Sequence, residues 1–251
     1  SLTYPLKKEG VIYDRFLKPS LSLRFSPNNT KNISTADRVV NINNINSFNR
    51  LSISDGVEGG RSLTAGLDYK LKSKSGEDKV SINLAQVYRD KANPDLPSNS
   101  TLNNKYSDII GNVKFNLLDN LSFEYDFIAD NNFNRLNYNL LNTSLSVNNF
   151  VTSFEYLEER GEIGTKSYIK NQTKYLFDKN NSISFATRRN RELEMTEFYN
   201  LVYQYENDCL KAAIEYNKNF YSDTDIDPEE QLLFTLTIVP FSKISSTNIN
   251  K

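Results

Sequence analysis

The sequence has no histidine and only one cysteine, Cys209. Without histidine, the usual Ser–His and Cys–His catalytic pairs cannot form, and the commonest protein ligand of transition metals is missing. With a single cysteine, no disulfide can form within the chain. These absences argue against the common hydrolases, so we expect no enzymatic activity, no cofactor and no metal site.

Long apolar runs and an excess of positive charge are missing too. No run of about 18 apolar residues occurs, so no transmembrane helix is expected. The 30 Lys and Arg side chains face 31 Asp and Glu side chains, which excludes the basic footprint of a nucleic-acid-binding protein. Aromatic residues make up 12% of the chain, which argues against disorder.

The start of the chain lacks the features of a complete precursor. It begins Ser1-Leu2-Thr3-Tyr4, with no initiator methionine and no apolar signal segment. We therefore interpret the sequence as a fragment or a processed chain, whose export signal would lie further upstream.

What the sequence does have is a regular alternation of apolar and polar residues. Side chains of a strand point alternately to opposite faces of its sheet. The segment 121–130 shows the clearest pattern of this kind. One face would carry Leu121, Phe123, Tyr125, Phe127 and Ala129. The other would carry Ser122, Glu124, Asp126 and Asp130, with Ile128 as an exception. Such rows predict strands with one apolar and one polar face.

Alternating runs bounded by turn residues predict about twelve strands. They are 16–25, 62–71, 78–90, 107–118, 120–130, 134–147, 148–158, 166–177, 181–190, 197–206, 209–221 and 231–241. Many approach the ten or so residues that a tilted strand needs to cross a bilayer, whereas strands of soluble proteins average five or six. The 38% of apolar residues are spread thinly along the chain, which fits a wall one sheet thick better than a globule.

The connections between these strands alternate in length. Tight polar turns such as Val147-Asn148-Asn149 alternate with longer links such as 26–61 and 91–106. Outer-membrane barrels have short periplasmic turns and longer external loops. The predicted fold class is therefore all-β: an antiparallel transmembrane β-barrel, of which this chain holds about twelve strands.

Two features have alternative interpretations. Arg188, Arg189 and Arg191 form the one compact basic cluster and could bind anionic lipid phosphates, since guanidinium groups pair well with phosphate oxygens. The alternative is a charged strand end without a ligand. Cys209 could be a small buried hydrophobe, or, in an exported protein, a thiol whose partner lies outside this chain.

Two stretches carry a family likeness. The first comprises residues 17–28, 48–50 and 58–69, and the second comprises 203–210, 215–216, 223–228 and 233–236. In this order they resemble the C-terminal barrel of LPS-assembly proteins, the LptD family, especially of the alphaproteobacterial type. The likeness implies that residues 1–251 are the C-terminal portion of a larger barrel in the cell outer membrane, without its periplasmic N-terminal domain.

The resemblance also implies a function and partners. The barrel would assemble lipopolysaccharide into the outer leaflet, around an LptE-like lipoprotein plug. A periplasmic LPS-transport bridge would supply the lipid through the N-terminal domain, and the lipid would leave through a lateral seam between the first and last strands. In this chain the last strand would be 231–241. Its seam residues would be Leu232, Phe234, Leu236, Ile238 and Pro240.

The resemblance also implies on which side of the membrane Cys209 lies. Because barrels of this family end on the periplasmic side, counting strands back from 231–241 places Cys209 at the periplasmic rim. An inter-domain disulfide to the upstream domain is then implied, in an oxidising compartment. Two rival functions remain: a general porin, which would need a complete closed barrel, and a soluble β-rich surface-binding protein, which would extract without detergent.

Overall fold

The computed structural model describes all residues except 27–30, 54–56, 162–163, 221–227, 239–241 and 246–251. The described chain is built from β-strands, with one short 3-10 helix at Ser98–Ser100. The strands are β1 Leu2–Thr3, β2 Leu6–Lys8, β3 Tyr13–Ser26, β4 Gly60–Ser73, β5 Asp78–Arg89, β6 Ile109–Leu118, β7 Leu121–Ala129, β8 Leu136–Val147, β9 Phe150–Gly161, β10 Gly164–Leu176, β11 Asn181–Asn190, β12 Met195–Glu206, β13 Leu210–Asn219, β14 Glu230–Ile238 and β15 Ser242–Ser245.

The prediction of an all-β, antiparallel fold is confirmed. Each of the twelve predicted strands overlaps one of β3 to β14. The prediction missed β1, β2 and β15, which have two, three and four residues and are too short to show an alternating pattern. In the described part of the chain, no helix is long and apolar enough to span a membrane.

The chain divides into two compact units. The first consists of Ser1–Asp119, Phe123–Leu140 and Glu158–Thr165. Its strands follow the order β1–β3–β4–β5–β6–β7, and β2 also pairs with β3. The longest pairing joins β3 to β4 from Tyr13↔Ser73 to Ser26↔Gly60 without a register shift.

The second unit consists of Asn120–Ser122, Leu141–Leu157 and Lys166–Lys251. In it, β10 to β15 pair in sequence order, each antiparallel to the next. Its turns use the residues that turn geometry requires: Asn148 adopts a positive φ of 51°, which asparagine tolerates better than most residues. The Asn207 side chain accepts hydrogen bonds from the backbone of Cys209 and Leu210, which closes the turn before β13.

The buried apolar core of the first unit lies where two long links meet the strands. The links supply Ile33, Val40, Ile45, Leu51, Leu96 and Leu102, and the strands supply Ala85, Val87, Ile110 and Ile128. The two links are joined to each other by a hydrogen bond of 2.8 Å from the Ile33 amide to the Asp95 carbonyl. The core therefore fixes the links on one face of the strands.

Candidate functional site

The strands of the first unit segregate polar and apolar side chains onto opposite faces. Strand register aligns Lys18, Asp68, Asn83 and Asn112 in one row across β3 to β6. The intervening row aligns Leu17, Tyr69, Ile82 and Val113. We call these two sides the polar face and the apolar face of the first unit.

The alternation predicted for β7 agrees with this division. The Asn112 amide on the polar face donates to Glu124 Oε1 at 3.1 Å and to Asp126 Oδ1 at 2.6 Å. On the apolar face, the ring of Phe127 lies directly over Gly111, whose missing side chain leaves room for it. The predicted placement of the β7 acidic and aromatic residues on opposite faces is therefore confirmed.

The polar face carries charges of both signs, arranged as ion pairs. Lys18 Nζ lies 2.9 Å from Asp68 Oδ2, and Lys114 Nζ lies 2.6 Å from Glu124 Oε1. Above these pairs is a cavity of about 480 Å³, lined by strand residues of the polar face and by Ile42, Asn43 and Asn46 of the first long link. Such a surface can hydrogen-bond hydroxyl groups and pair with anions without performing covalent chemistry.

The two long links form a cover over one end of the polar face. We define the cover as residues 31–53 and 91–108, which contain the core residues that the links supply. Val87 and Ile110 point to the polar face but are 0% and 3% exposed, because the cover lies on them. Ser107 secures the second link, since its backbone N–H donates to the Val87 carbonyl and its hydroxyl accepts from the Val87 amide, both at 2.9 Å.

A cluster of four charged side chains lies beside the cover. It consists of Glu58, Arg24, Arg50 and Arg89, and we call it the Glu58 cluster. Glu58 Oε2 accepts from Arg24 Nη1 at 2.7 Å and from Arg50 Nε at 2.8 Å. Glu58 Oε1 accepts from Arg50 Nη2 at 2.8 Å and from Arg89 Nη1 at 2.6 Å. The side chains of Glu58, Arg50 and Arg89 are only 2–3% exposed.

Sequence reasoning missed this cluster. Arg24, Arg50 and Glu58 lie in the stretches that carry the family likeness, but no spacing rule connects them with one another or with Arg89. A weaker signal was present in β7, where Ile128 breaks the polar row. Ile128 lies on the polar face and belongs to the core under the cover. Its apolar side chain therefore marks the place where a long link packs onto the polar face.

The arginines proposed to bind lipid phosphates do not converge. Arg188 lies opposite Lys170 and its neighbour Arg189 lies opposite Ile169, so the two point to different faces of the second unit. Arg188 Cζ lies 5.5 Å and 5.7 Å from the ring centroids of two aromatic residues, and its Nε pairs with a carboxylate. These partners are Tyr168, Phe198 and Glu197. Arg188 is therefore already satisfied within the chain.

Fewer interactions within the described residues hold the side chains of Arg189 and Arg191. Arg189 is exposed, and within the described part of the chain its side chain donates a single long hydrogen bond, of 3.4 Å, to the Glu194 carbonyl. Arg191 donates to the Tyr156 hydroxyl at 2.9 Å and stacks on that ring at 5.4 Å. Arg189 is thus the member of the trio that is freest to meet a ligand.

The proposed seam strand corresponds to β14. Leu232, Phe234, Leu236 and Ile238 lie on one face of β14, opposite Tyr216, Ile214, Ala212 and Leu210 of β13, and the other face carries Gln231, Leu233, Thr235 and Thr237. On its other edge, Thr235 to Ile238 pair with β15, so a short strand follows the one that sequence reasoning placed last. Pro240 lies outside the described residues.

Cys209 occupies the turn between β12 and β13, and it is exposed. Its backbone amide donates to Asn207 Oδ1 at 3.0 Å, which holds the residue at the start of β13. The first of the two interpretations given for Cys209, a small buried hydrophobe, is therefore wrong for the residue as it lies in this chain.

The sequence profile of the family described as LPS transport system D, LptD, matches residues 2–205. Comparison with curated proteins yields no match. The matched range holds the polar face, the cover, the Glu58 cluster and the arginine trio, whereas Cys209 and β14 lie beyond it.

Proposed function

The chain belongs to the LptD family, LPS transport system D, and on that basis we propose that it forms part of the wall of a lipopolysaccharide conduit. The family consists of outer-membrane β-barrels of the LPS-transport system, and the antiparallel all-β fold agrees with this. Such a conduit moves a lipid into the outer leaflet without a covalent step. It requires a polar route for sugars and phosphates and an apolar surface for the surrounding bilayer.

The observation that supports this proposal most directly is the division between the two faces of the first unit. In outer-membrane barrels the outward surface is apolar and the interior is polar. On the polar face, Lys18, Asp68 and Asn83 offer both hydrogen-bond donors and acceptors to a saccharide, beside the 480 Å³ cavity. The Tyr69, Ile82 and Val113 row would face hydrocarbon.

Photo-crosslinking in cells tests this assignment. A photoreactive amino acid at position 83 of the full-length protein, a half-buried position in the cavity lining, should capture lipopolysaccharide, and capture should fall when the energy supply of lipid transport is blocked. Position 82, the neighbour on the apolar face, is the matched control. It should capture lipids of the resident membrane whether or not transport runs. Absence of a transport-dependent adduct at position 83 would contradict the proposed route.

The rival functions predict different outcomes. For a general porin, depletion of the protein should slow the uptake of small solutes and leave the surface display of lipopolysaccharide unchanged. For a soluble surface-binding protein, the chain should leave the membrane fraction without detergent.

We propose further that the lateral seam lies at the β14 end of the second unit. The support is the apolar row of Leu232, Phe234, Leu236 and Ile238, together with β15, whose described residues pair with Thr235 to Ile238 alone on the β14 edge. A short pairing is easier to open than the nine residue pairs that join β13 to β14. Pro240 would weaken the pairing further, because proline has no N–H to donate.

The partners and small sites of this conduit are part of the same proposal. An LptE-like lipoprotein plug would contact the polar face, and a periplasmic LPS-transport bridge would deliver lipid through an upstream domain of the full-length protein. Cys209 would form a disulfide with that domain. Among the three arginines, Arg189 would pair with lipid phosphates, whereas Arg188 points to the other face of β11 and would not share that site. Arg189→Gln should lower retention of phosphorylated lipid by the purified protein more than Arg188→Gln, and equal retention would remove the assignment.

A further inference from the structure

The Glu58 cluster uses all of the hydrogen-bonding capacity of one buried carboxylate. Both oxygens of Glu58 accept two charge-assisted hydrogen bonds, from three different arginines. Bonds of this kind are roughly twice as strong as neutral ones. A residue so fully satisfied holds its partners in fixed positions.

Arg50 connects the cover to the strands. It belongs to the 31–53 part of the cover, and its guanidinium donates to Ser62 Oγ at 2.9 Å and to Thr64 Oγ1 at 3.1 Å, both on β4. It also reaches back to the Ile45 carbonyl at 3.5 Å, inside the cover itself. The position of residues 31–53 therefore depends on Arg50, and the position of Arg50 depends on its two-point pair with Glu58.

The charges of the cluster make Glu58 the member on which the others depend. Across the described residues, Arg24, Arg50 and Arg89 form ion pairs with Glu58 alone. Three guanidinium groups therefore share one carboxylate in a place with little water. Neutralising Glu58 leaves three mutually repelling, poorly solvated cations, which is far more costly than losing an exposed pair.

The cluster lies next to the polar cavity. On β4 it contacts Ser62 and Thr64, and the next residues on the same face, Gly66 and Asp68, line the cavity. The 31–53 part of the cover supplies Ile42, Asn43 and Asn46 to that lining. Movement of this part of the cover would therefore open the cavity at its cluster end.

We propose that Glu58 is a positioning residue, which latches residues 31–53 over the polar cavity and so prevents small solutes from using the lipid route. A conduit wide enough for a glycolipid would leak ions and small molecules unless its polar interior were closed at rest. The buried, multiply bonded latch suits that task because salt screens buried pairs much less than exposed ones. The proposal requires the chain to be part of a barrel wall, but it does not depend on which lipid is the cargo.

Ion conductance of the full-length protein in planar bilayers tests the latch. Glu58→Gln should raise the open fraction about a hundredfold or more, because losing one partner of a buried pair shifts an equilibrium by two or more decades. The matched control is Glu77→Gln, the same substitution at an exposed carboxylate that pairs with Lys79. Glu77 lies in the turn between β4 and β5, away from the cover and outside the cavity lining. It should conduct no more than the unaltered protein.

A second variant guards against misfolding of the first. Arg50→Lys keeps the charge but loses the two-point geometry, so it should give an intermediate conductance. Folded Glu58→Gln protein that conducts no more than Glu77→Gln overturns the proposal. Loss of the folded barrel in both Glu58→Gln and Arg50→Lys also overturns the proposal. The Glu58 cluster would then be required for the strands to fold, and not for the position of the cover. Lipopolysaccharide crosslinking at position 83 is measured separately, so a failed conduit assignment is distinguishable from a failed latch.

Discussion

Arg50 and Glu58 form a two-point ion pair, with Nε 2.8 Å from Oε2 and Nη2 2.8 Å from Oε1. The pair joins a residue of a long link to the residue two positions before β4 begins at Gly60. Buried ion pairs are expensive to form, because both charges lose their water. Its presence here indicates that the position of the link matters, since apolar contacts alone could have held the link less specifically.

Substitution of an apolar core residue of the cover should destabilise the cover as much as substitution of its charged anchor does. Leu102 is 0% exposed, so Leu102→Ala should destabilise the cover by about 2–5 kcal/mol through the lost contacts and the cavity left behind. The rate of proteolytic cleavage within 31–53 and 91–108 measures this. Leu23→Ala, at a side chain that is 82% exposed, is the control and should leave the cleavage rate unchanged. Equal rates in both variants would show that Leu102 does not hold the cover.

Gly111 and Phe127 should behave as one unit. A side chain at position 111 would collide with the Phe127 ring, so Gly111→Val should destabilise the β6–β7 pairing by about 1–3 kcal/mol through overpacking. Phe127→Ala should relieve the collision, and the double variant should be more stable than the sum of the two single effects predicts. Thermal unfolding of the four proteins in detergent measures the coupling. Strict additivity would contradict the contact.

The two faces of the second unit should respond differently to a positive charge. Leu201 lies opposite Phe185 and Tyr216 in an apolar row, so Leu201→Arg should cost about 2–4 kcal/mol if that row faces the middle of the bilayer. Asn200→Arg is the matched control, since the Asn200 amide lies 2.6 Å from Glu215 Oε1 on the other face. Barrel insertion and unfolding temperature are the readouts. A greater loss in Asn200→Arg would reverse the assignment of the faces.

The strands were predictable because alternation is a local property of the sequence. The period of two in 121–130 and the turn residues around Asn148 identified β7 and the β8–β9 hairpin without knowledge of distant contacts. The site was less predictable for the opposite reason. Glu58 meets Arg24 and Arg89, which are 34 and 31 positions away, only after the long links have folded back. Burial of such links depends on tertiary packing, which no local pattern encodes.

Asp108, in the link before β6, should make the cover sensitive to pH. Burial raises the pKa of the Asp108 carboxyl, although the hydrogen bond of 2.6 Å from the Asn137 amide opposes the shift. A raised folded-state pKa means that stability is complete below the ordinary carboxyl pKa of about 4 and is lost as pH rises through the folded value. Asp108→Asn should therefore stabilise the cover at neutral pH.

The pH dependence of cleavage within the cover measures this effect. The difference between Asp108→Asn and the unaltered protein should vanish at low pH and grow as the pH rises. Asp130 raises the same pKa and Arg135 lowers it, so Asp130→Asn is a useful control that should reduce the pH effect without removing it. A difference that is larger at low pH would contradict the direction of the shift.

Cys209 should form a disulfide with a cysteine outside this chain. The thiol is exposed at the start of β13 in a turn that Asn207 closes, so it can reach a partner without unfolding a strand. Full-length protein should migrate differently on gels with and without reductant, and Cys209→Ser should abolish that difference. A maleimide reagent should label Cys209 only after reduction. Labelling of the unreduced protein at Cys209, with unchanged mobility in the serine variant, would leave a free thiol at the rim.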